Sequence, residues 1–236
     1  MDSPAPIRVV VLDDHALLRE GVRATLAREP DIVLVGEGSA GEHLEPLLAR
    51  HRPDVVLLDL RMPQREGETT RDGQPFQPQA AVTHMTSIYP ETRFLVLSND
   101  CTRGSIEAMM NAGASGYLVK EDRLTTHLGL AIRTVHHGGV CVSPEVREVL
   151  SNSPRTAGLD QLSERQVEIL EAMALQPNDL LVELAEQLGI SESTLKRHAA
   201  DIRLRLGVRT NTAAILKAVQ GGLVSLDTIV LSDHVA

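Results

Sequence analysis

The chain has 236 residues, enough for two domains of ordinary size, and 42% of them are hydrophobic, so each domain can bury a core. A net charge of −9 excludes a protein that coats nucleic acid with its whole surface, although a local basic patch remains compatible with it. Two cysteines are too few for a disulfide framework or a cysteine metal cluster. We see neither an apolar stretch of the ~20 residues that span a membrane nor a signal peptide, so we expect a cytoplasmic protein without membrane contact.

The first part of the chain alternates short apolar runs with amphipathic segments. The runs predict strands and the amphipathic segments predict helices, which together indicate a parallel sheet with helices on both sides. The predicted strands are Ile7–Leu12, Ile32–Gly36, Val55–Leu58, Arg93–Leu97 and Gly116–Val119. The predicted helices are Ala16–Arg28, Glu42–Arg50, a helix from about Ala80, Ser105–Ala112 and Leu124–His136.

Polar residues directly follow four of these strands. Asp13 and Asp14 follow the first strand, Asp59 the third, Ser98 the fourth and Lys120 the fifth. The carboxyl ends of parallel strands lie at one edge of the sheet, where ligands bind in open α/β folds. The pattern therefore brings three carboxylates, a hydroxyl and an ammonium into one site.

This set of side chains suits phosphoryl transfer. Clustered carboxylates repel one another, and a hard divalent cation such as Mg²⁺, which prefers oxygen ligands, relieves that repulsion. A carboxylate can attack phosphorus and form an aspartyl-phosphate, while a metal ion and Lys120 neutralise the phosphoryl oxygens. We therefore expect Asp59 to be the chemical centre of the site.

Residues 7–137 resemble the receiver domain of a two-component response regulator. The matching motifs are Asp13-Asp14, Asp59 followed by Met62-Pro63, Ser98, and Lys120 after Gly113-Ala114-Ser115-Gly116-Tyr117. The resemblance implies a flavodoxin-like sheet of five parallel strands in the order 2-1-3-4-5.

The same resemblance implies roles for the residues at the strand ends. Asp59 would accept a phosphoryl group from a histidine kinase and, with Asp13 and Asp14, would hold Mg²⁺. Ser98 and Lys120 would bind the phosphoryl oxygens. Ser98 and Tyr117 would form a switch pair that moves inward on phosphorylation.

Two segments depart from the receiver pattern. Gln64–Gln79 is polar and rich in proline and glycine, and we interpret it as an insertion of roughly nine residues, either a mobile loop or a lid or partner contact beside Asp59. Asn99 and Asp100 follow Ser98, where the family has a small residue at the first position. We expect Asn99 to crowd the phosphoryl site and Asp100 to add a negative charge near it, and both to slow phosphorylation or dephosphorylation.

The residues after about Gln161 predict a helix-turn-helix. Ser163 is the predicted N-cap of a first helix, Asp179–Leu188 is a second helix, and a turn at Gly189 leads to Ser191, the N-cap of a third helix, Glu192–Leu206. Five cations against one acid give residues 196–209 a charge of +4. A basic helix in an acidic chain indicates DNA binding.

This second half resembles the LuxR/FixJ-type helix-turn-helix, and the whole chain resembles regulators of the NarL/FixJ subfamily. The matching segments are Leu162–Arg165, Leu184–His198 and Leu206–Thr210. The resemblance implies a transcriptional regulator that works with RNA polymerase and binds DNA as a homodimer, with a fourth helix, about Thr212–Gln220, at the dimer interface. The residues expected at the DNA are Lys196, Arg197, Ala200, Arg203, Arg209 and Thr194.

The second helix departs from that pattern. Asn178 and the run Leu180-Leu181-Val182 replace residues that in the family cap the helix and meet DNA phosphates, although Asp179 can supply a cap. We expect weaker, less salt-dependent DNA binding, or a protein partner at this surface. The predicted divisions are a receiver domain at 1–142 with its insertion at about 64–79, a short helix and linker at 143–160, a helix-turn-helix domain at 161–226 and a tail at 227–236.

Three functions remain open from the sequence. The first is a transcriptional regulator switched by phosphorylation of Asp59. The second is an atypical regulator of the same architecture that works without phosphorylation, with weak or partner-dependent DNA binding. The third is a Mg²⁺-dependent hydrolase with an aspartate nucleophile, although such enzymes usually show Asp-x-Asp after the first strand, where this chain has Asp13-Asp14.

Overall fold

The computed structural model describes residues 5–68, 74–120, 124–151, 159–175 and 181–224. Its strands are β1 (Ile7–Leu12), β2 (Ile32–Gly38), β3 (Val55–Asp59), β4 (Arg93–Ser98), β5 (Gly116–Val119) and β6 (Cys141–Val142). Its α-helices are α1 (Ala16–Leu26), α2 (Leu44–His51), α3 (Pro78–Ile88), α4 (Arg103–Ala112), α5 (Leu124–His136), α6 (Pro144–Ser151), α7 (Glu164–Leu175), α8 (Leu181–Gln187), α9 (Glu192–Leu206) and α10 (Asn211–Gln220).

The strands form one parallel sheet in the order β2-β1-β3-β4-β5-β6. The expected doubly wound fold and the order of its first five strands are confirmed, but the expected number of five strands is wrong. The sixth strand pairs Cys141 with Gly116 and Val142 with Tyr117 at the edge of the sheet. Two residues are too short to show any period, so this strand has no signal in the sequence.

Both faces of the sheet are buried, which explains the unbroken apolar runs in its central strands. Alternate residues of β1 point to opposite sides, with Val10 in one core and Val11 in the other. Helices α1 and α5 cover the side of Val11, and helices α2, α3 and α4 cover the side of Val10. The carboxyl ends of the strands remain as the uncovered edge.

The C-terminal helices follow the predicted caps. Ser163 Oγ accepts from the backbone N–H of Gln166 at 3.3 Å, and Gln166 Oε1 accepts from the N–H of Ser163 at 3.0 Å, a reciprocal capping box. Ser191 Oγ accepts from the N–H of Thr194 at 3.2 Å and caps α9. The buried stripe of α9 is Leu195, Ala199, Ile202 and Leu206, as its spacing predicts.

Some predicted boundaries differ from the observed ones. Helix α3 begins at Pro78 rather than near Ala80, because proline suits the first helical turn, where its missing N–H costs nothing. Helix α10 begins at Asn211, one residue early, with Thr210 as its N-cap. The predicted cap Asp179, most of the predicted linker and the predicted tail lie outside the described residues.

The two parts of the chain pack together through α10. This helix contacts α7 and α9 of its own part and α4 and α6 on the other side, and a single apolar core runs through both. Seven of its ten residues are buried. Thr210 Oγ1 donates to the backbone carbonyl of Met110 in α4 at 2.9 Å. Within the part of the chain that the structure describes, none of the helices has the length and apolarity of a membrane span.

Candidate functional site

The carboxyl edge of the sheet brings together the predicted acids and the predicted lysine. Asp13 and Asp59, at the ends of β1 and β3, are almost completely buried. Lys120, directly after β5, places its Nζ 2.6 Å from Asp13 Oδ2 and 2.9 Å from Asp59 Oδ2. One ammonium thus lies between two buried carboxylates, and the three groups leave one uncompensated negative charge.

Burial has the largest effect on the pKa of Asp59. The pKa of Asp59 is raised above its usual value mainly by burial, and Asp13 raises it further, while Lys120 lowers it. The Lys120 backbone is held by an N–H that donates to the carbonyl of Ser98 at 3.1 Å. The lysine is therefore fixed at the sheet edge rather than free in solvent, and its position depends on the pairing of β4 with β5.

A possible metal site lies at the same edge. One ligand atom each from Asp13, Asp14, His15 and Asp59 lies within 4.8 Å of the others. Asp13 Oδ2 makes an ionic contact with Lys120 without hydrogen-bond geometry, so its lone pairs are not used in a directional bond. Three carboxylates fit a hard cation such as Mg²⁺.

His15 was not among the predicted site residues. Its Nδ1 lies 2.7 Å from Asp14 Oδ1 and 3.3 Å from Asp13 Oδ1, while its side chain is largely exposed. The sequence signal for His15 as a site residue was its position directly after Asp13-Asp14.

Ser98 and Tyr117 both contact the backbone of Asp100, in the loop between β4 and α4. Ser98 Oγ accepts from the N–H of Asp100 at 3.0 Å, and the Tyr117 hydroxyl donates to its carbonyl oxygen. Both side chains are fully buried, so Tyr117 already has the inward position that the resemblance assigned to the switched form. Burial raises the pKa of Tyr117 to about 12, so its hydroxyl remains a donor.

The two residues after Ser98 differ in exposure and in contacts. Asn99 is exposed. The Asp100 carboxylate accepts from the Thr102 N–H at 2.9 Å and from Ser105 Oγ at 2.7 Å, with an Arg61 guanidinium nitrogen 3.8 Å away. Asp100 thus accepts hydrogen bonds at the start of α4 and connects the site to that helix.

The insertion is anchored at both ends of its described part. Pro63 and Pro75 form an antiparallel bridge, and the N–H of Phe76 donates to the carbonyl of Met62 at 3.1 Å. Phe76 is buried and packs against Gly41, where an added Cβ would lie 2.3 Å from Phe76 Cδ2.

The C-terminal end of the polar segment thus contains a buried apolar residue, Phe76. The available signal was Phe76 itself, one of only two phenylalanines in the chain, placed in an otherwise polar segment. Residues 69–73 lie outside the described part.

The predicted DNA-contacting residues fall into two groups. Lys196, Arg197 and Ala200 are exposed on α9 and Thr194 is half-buried near its start, while Lys196 also pairs with Glu192 one turn away. Arg203 and Arg209 instead line a cleft between this domain and the receiver-like part, and Arg203 donates to Asn211 Oδ1. On α8, Val182 is an exposed apolar residue where the resemblance expects a polar one.

Comparison with known proteins identifies both parts of the chain. Residues 9–128 match the family described as "Response regulator receiver domain", and residues 160–218 match "Bacterial regulatory proteins, luxR family". Transcriptional regulatory protein DegU of Brevibacillus brevis is 30% identical, with 93% of this chain and 96% of that protein covered. The probable transcriptional regulatory protein NarL of Mycobacterium tuberculosis is 32% identical, with 93% and 98% covered.

The fold is shared with a solved relative. A structure of the RcsB response regulator of Salmonella typhimurium aligns with a TM-score of 0.54 at 22% identity and covers 89% of this chain and 97% of that one. A structure of an RcsB–DNA complex aligns with a TM-score of 0.53 at 21% identity and covers 91% and 98%.

The chain belongs to the response regulators that join a receiver domain to a LuxR-type helix-turn-helix. It is a DNA-binding transcriptional response regulator of the NarL/LuxR family, and the predicted family is confirmed. Members of this family are regulators and generally not enzymes, so the hydrolase alternative has no support here. Receiver domains typically bind Mg²⁺ at an acidic pocket, which agrees with the cluster of aspartates at the sheet edge.

Proposed function

We propose that this protein is a transcriptional regulator that a histidine kinase controls by phosphorylating Asp59. The observation that carries the proposal is the position of Lys120 Nζ, 2.9 Å from Asp59 Oδ2 and 2.6 Å from Asp13 Oδ2. An ammonium beside a buried carboxylate opposes the rise of that carboxylate's pKa and supplies a positive charge for phosphoryl oxygens.

The proposed reaction uses Asp59 as a nucleophile. A carboxylate oxygen of Asp59 attacks the phosphorus of a phosphohistidine on the kinase, an O–P bond forms as the N–P bond breaks, and the leaving imidazole keeps the electron pair. Lys120 then exchanges its contact with Asp59 for a phosphoryl oxygen. Ser98, fully buried on the adjacent strand, offers its hydroxyl to a second oxygen.

Asp13, Asp14 and Asp59 would hold Mg²⁺, which when bound offsets the negative charge that the phosphoryl group brings to this pocket. His15 touches two of these acids and would restrain their orientation. Asp13 is also held by the His15 N–H, which donates to its Oδ1 at 2.9 Å.

The signal would leave the pocket through Asp100. The Ser98 hydroxyl can donate to a phosphoryl oxygen while its oxygen accepts from the Asp100 N–H, so a shift of Ser98 towards the phosphoryl group would be passed on to Asp100. Tyr117 holds the carbonyl of the same residue. Asp100 also holds the first turn of α4 through Ser105. We infer that the loop and α4 have two arrangements, of which phosphorylation favours the second.

Helix α4 connects this change to the DNA-binding domain. It packs on α10 and accepts the hydrogen bond from Thr210 at Met110. Loss of that contact would uncover α10 for a second copy of the chain, since the resemblance places this helix at the dimer interface. The homodimer would then present the exposed Lys196, Arg197 and Ala200 of each α9 to DNA.

The remaining expectations are part of the same proposal. The complex of DNA with RcsB, a protein of the same fold, supports a DNA complex for this chain. Recruitment of RNA polymerase, a cytoplasmic location and the division into 1–142, 143–160, 161–226 and 227–236 follow from the family resemblance.

Intact mass spectrometry after incubation with acetyl phosphate and Mg²⁺ tests the proposal. We expect the wild type to gain the mass of one phosphoryl group and Asp59→Asn to gain none. The matched control is Asp54→Asn, which removes a carboxylate at the other end of β3. A wild type without mass gain, or an Asp59→Asn variant that gains as much as wild type, would contradict the proposal.

A second candidate is a regulator of the same architecture that works without phosphorylation. The observation that favours it is Tyr117, which is already fully buried with its hydroxyl bonded to Asp100. In that case duplex DNA binding would be the same for the wild type, for Asp59→Asn and for protein treated with acetyl phosphate. If acetyl phosphate changed the DNA affinity of the wild type but not that of Asp59→Asn, DNA binding would be controlled by phosphorylation of Asp59.

A further inference from the structure

A cleft of about 450 Å³ lies between the receiver domain and the DNA-binding domain. One wall comes from α3, the start of β4 and the end of α4, and the other from the end of α9 and the start of α10. Its volume falls within the range of small-ligand sites. The cleft lies on the α3–α4 side of the receiver, and none of the residues assigned to the Asp59 pocket lines it.

The lining of the cleft is basic and hydroxyl-rich, although the whole chain is acidic. Three arginines line it, Arg93 from the receiver domain and Arg203 and Arg209 from the other domain. Of the fifteen described residues that line it, seven are threonine or serine and none is aspartate or glutamate. Such a lining offers many N–H and O–H donors and positive charge without a carboxylate to repel an anion.

Two groups in the cleft are left without partners. Arg209 is exposed and makes no ion pair or hydrogen bond with any residue that the structure describes, and it also lines a shallower groove that continues along α3 beside His84. Asn111 Oδ1 is buried with no hydrogen-bond partner among the described residues. The Arg209 guanidinium can bind an anion, and the buried amide oxygen of Asn111 can accept a hydrogen bond from a donor such as a hydroxyl.

The start of α10 adds to the positive electrostatic potential of the cleft. Thr210, Asn211 and Thr212, which begin this helix of ten residues, line the cleft. The positive end of the helix dipole therefore lies beside Arg203 and Arg209.

We propose that this interdomain cleft binds a small organic phosphate, namely a phosphorylated sugar whose phosphate meets Arg203 and Arg209 and whose hydroxyl donates to Asn111. The ligand contacts both domains only while α10 lies on α4. Its binding therefore stabilises the arrangement in which these two helices pack together. Binding requires neither phosphorylation of Asp59 nor DNA.

Isothermal titration calorimetry on the full chain tests this proposal, with ribose 5-phosphate, inorganic phosphate and ribose as probes. A chelator is present throughout, which keeps divalent cations out of the Asp59 pocket. We expect ribose 5-phosphate to bind at least fivefold more tightly than inorganic phosphate, and ribose to give no binding heat.

The variants locate the site. Arg209→Gln and Arg93→Gln, one from each wall, are each expected to weaken binding of ribose 5-phosphate at least fivefold. Arg50→Gln, on the exposed side of α2, is the matched control and is expected to bind like wild type, as is Asp59→Asn. Circular dichroism melting curves check that each variant is folded.

Absence of binding heat for ribose 5-phosphate in the wild type would overturn the proposal, as would Arg93→Gln and Arg209→Gln variants that bind like wild type. Equal affinity for inorganic phosphate and ribose 5-phosphate would overturn the assignment to a sugar phosphate. Loss of binding in Asp59→Asn would place the anion in the phosphoacceptor pocket instead.

Discussion

Thr210 in the DNA-binding domain donates a 2.9 Å hydrogen bond from its hydroxyl to the backbone carbonyl of Met110 in the receiver domain. The same Thr210 oxygen accepts from the N–H of Ala213 at 3.0 Å and caps α10. One hydroxyl therefore both begins the helix that joins the domains and ties it to α4.

The Thr210→Val substitution removes both bonds and keeps the shape of the side chain. We expect it to lower the free energy of unfolding by about 1–2 kcal/mol, because it removes an N-cap and leaves the Met110 carbonyl without its partner. Urea unfolding measures the loss, and hydrogen exchange should rise at the start of α10. Thr210→Ser keeps the hydroxyl and serves as control; equal stability of Thr210→Val and wild type would show that neither bond matters.

The raised pKa of Asp59 predicts a stability that depends on pH. Because burial lifts the folded-state pKa above the unfolded value of about 3.9, ionised Asp59 costs stability, and the cost appears as pH rises through the folded-state pKa. Asp59→Asn should therefore be more stable than wild type by about 1–2 kcal/mol at pH 7. Urea unfolding at pH 7 and at pH 4 should show the difference shrinking at the lower pH. If the stability difference between Asp59→Asn and wild type grew at the lower pH, the pKa of Asp59 would be lowered by folding rather than raised.

Removal of Lys120 should have the opposite effect. Lys120→Met leaves Asp13 and Asp59 buried without a cation, and we expect a loss of about 3 kcal/mol at pH 7. Adding Asp59→Asn to this variant should recover part of the loss, since one of the two unpaired charges is gone. Lys196→Met, at a largely exposed lysine, is the control and should change stability little. An unchanged Lys120→Met stability curve would mean that water enters the pocket freely.

The contact between Gly41 and Phe76 predicts a non-additive pair of substitutions. Gly41→Ala would place its Cβ 2.3 Å from Phe76 Cδ2, and the clash should cost about 1–3 kcal/mol. Phe76→Ala should cost about 3 kcal/mol through the cavity it leaves. The double variant should be no less stable than Phe76→Ala alone, because the clash with Phe76 is gone and the remaining close contact, Gln64 Oε1 at 2.9 Å, is the end of a flexible side chain.

The control for this pair is Gly104→Ala in α4, where an added Cβ meets nothing within 4 Å. Thermal unfolding of all four variants checks the pattern. Strictly additive losses would show that Phe76 does not pack on Gly41.

The exposed face of α9 predicts a change in the salt dependence of DNA binding. Arg197→Gln should weaken binding to any duplex and reduce the slope of log K against log salt concentration by about 1, as expected for one lost phosphate contact. Fluorescence anisotropy over a salt series measures the slope. Arg50→Gln, away from the DNA-binding domain, should leave it unchanged. A changed affinity with an unchanged slope would assign Arg197 to a base rather than to a phosphate.

The sequence determined five of the six strands of the receiver and the helices between them, the grouping of Asp13, Asp59, Ser98 and Lys120, and the capped basic helix. These features follow from local periodicity and from the rule that parallel strands end at one edge, so they need no knowledge of distant contacts. The family then followed from how the motifs are ordered along the chain.

Only the tertiary structure decided the rest. The edge strand Cys141–Val142, the packing of Phe76 on Gly41, the hydrogen bond from Tyr117 to Asp100, and the position of α10 on α4 all join residues that are separated in sequence. Their free energy comes from burial and from hydrogen bonds that close long loops, and no local pattern of residue types encodes which distant partner is met. The charge of Arg203 and Arg209 was visible in the sequence, but its place in a cleft between two domains was not.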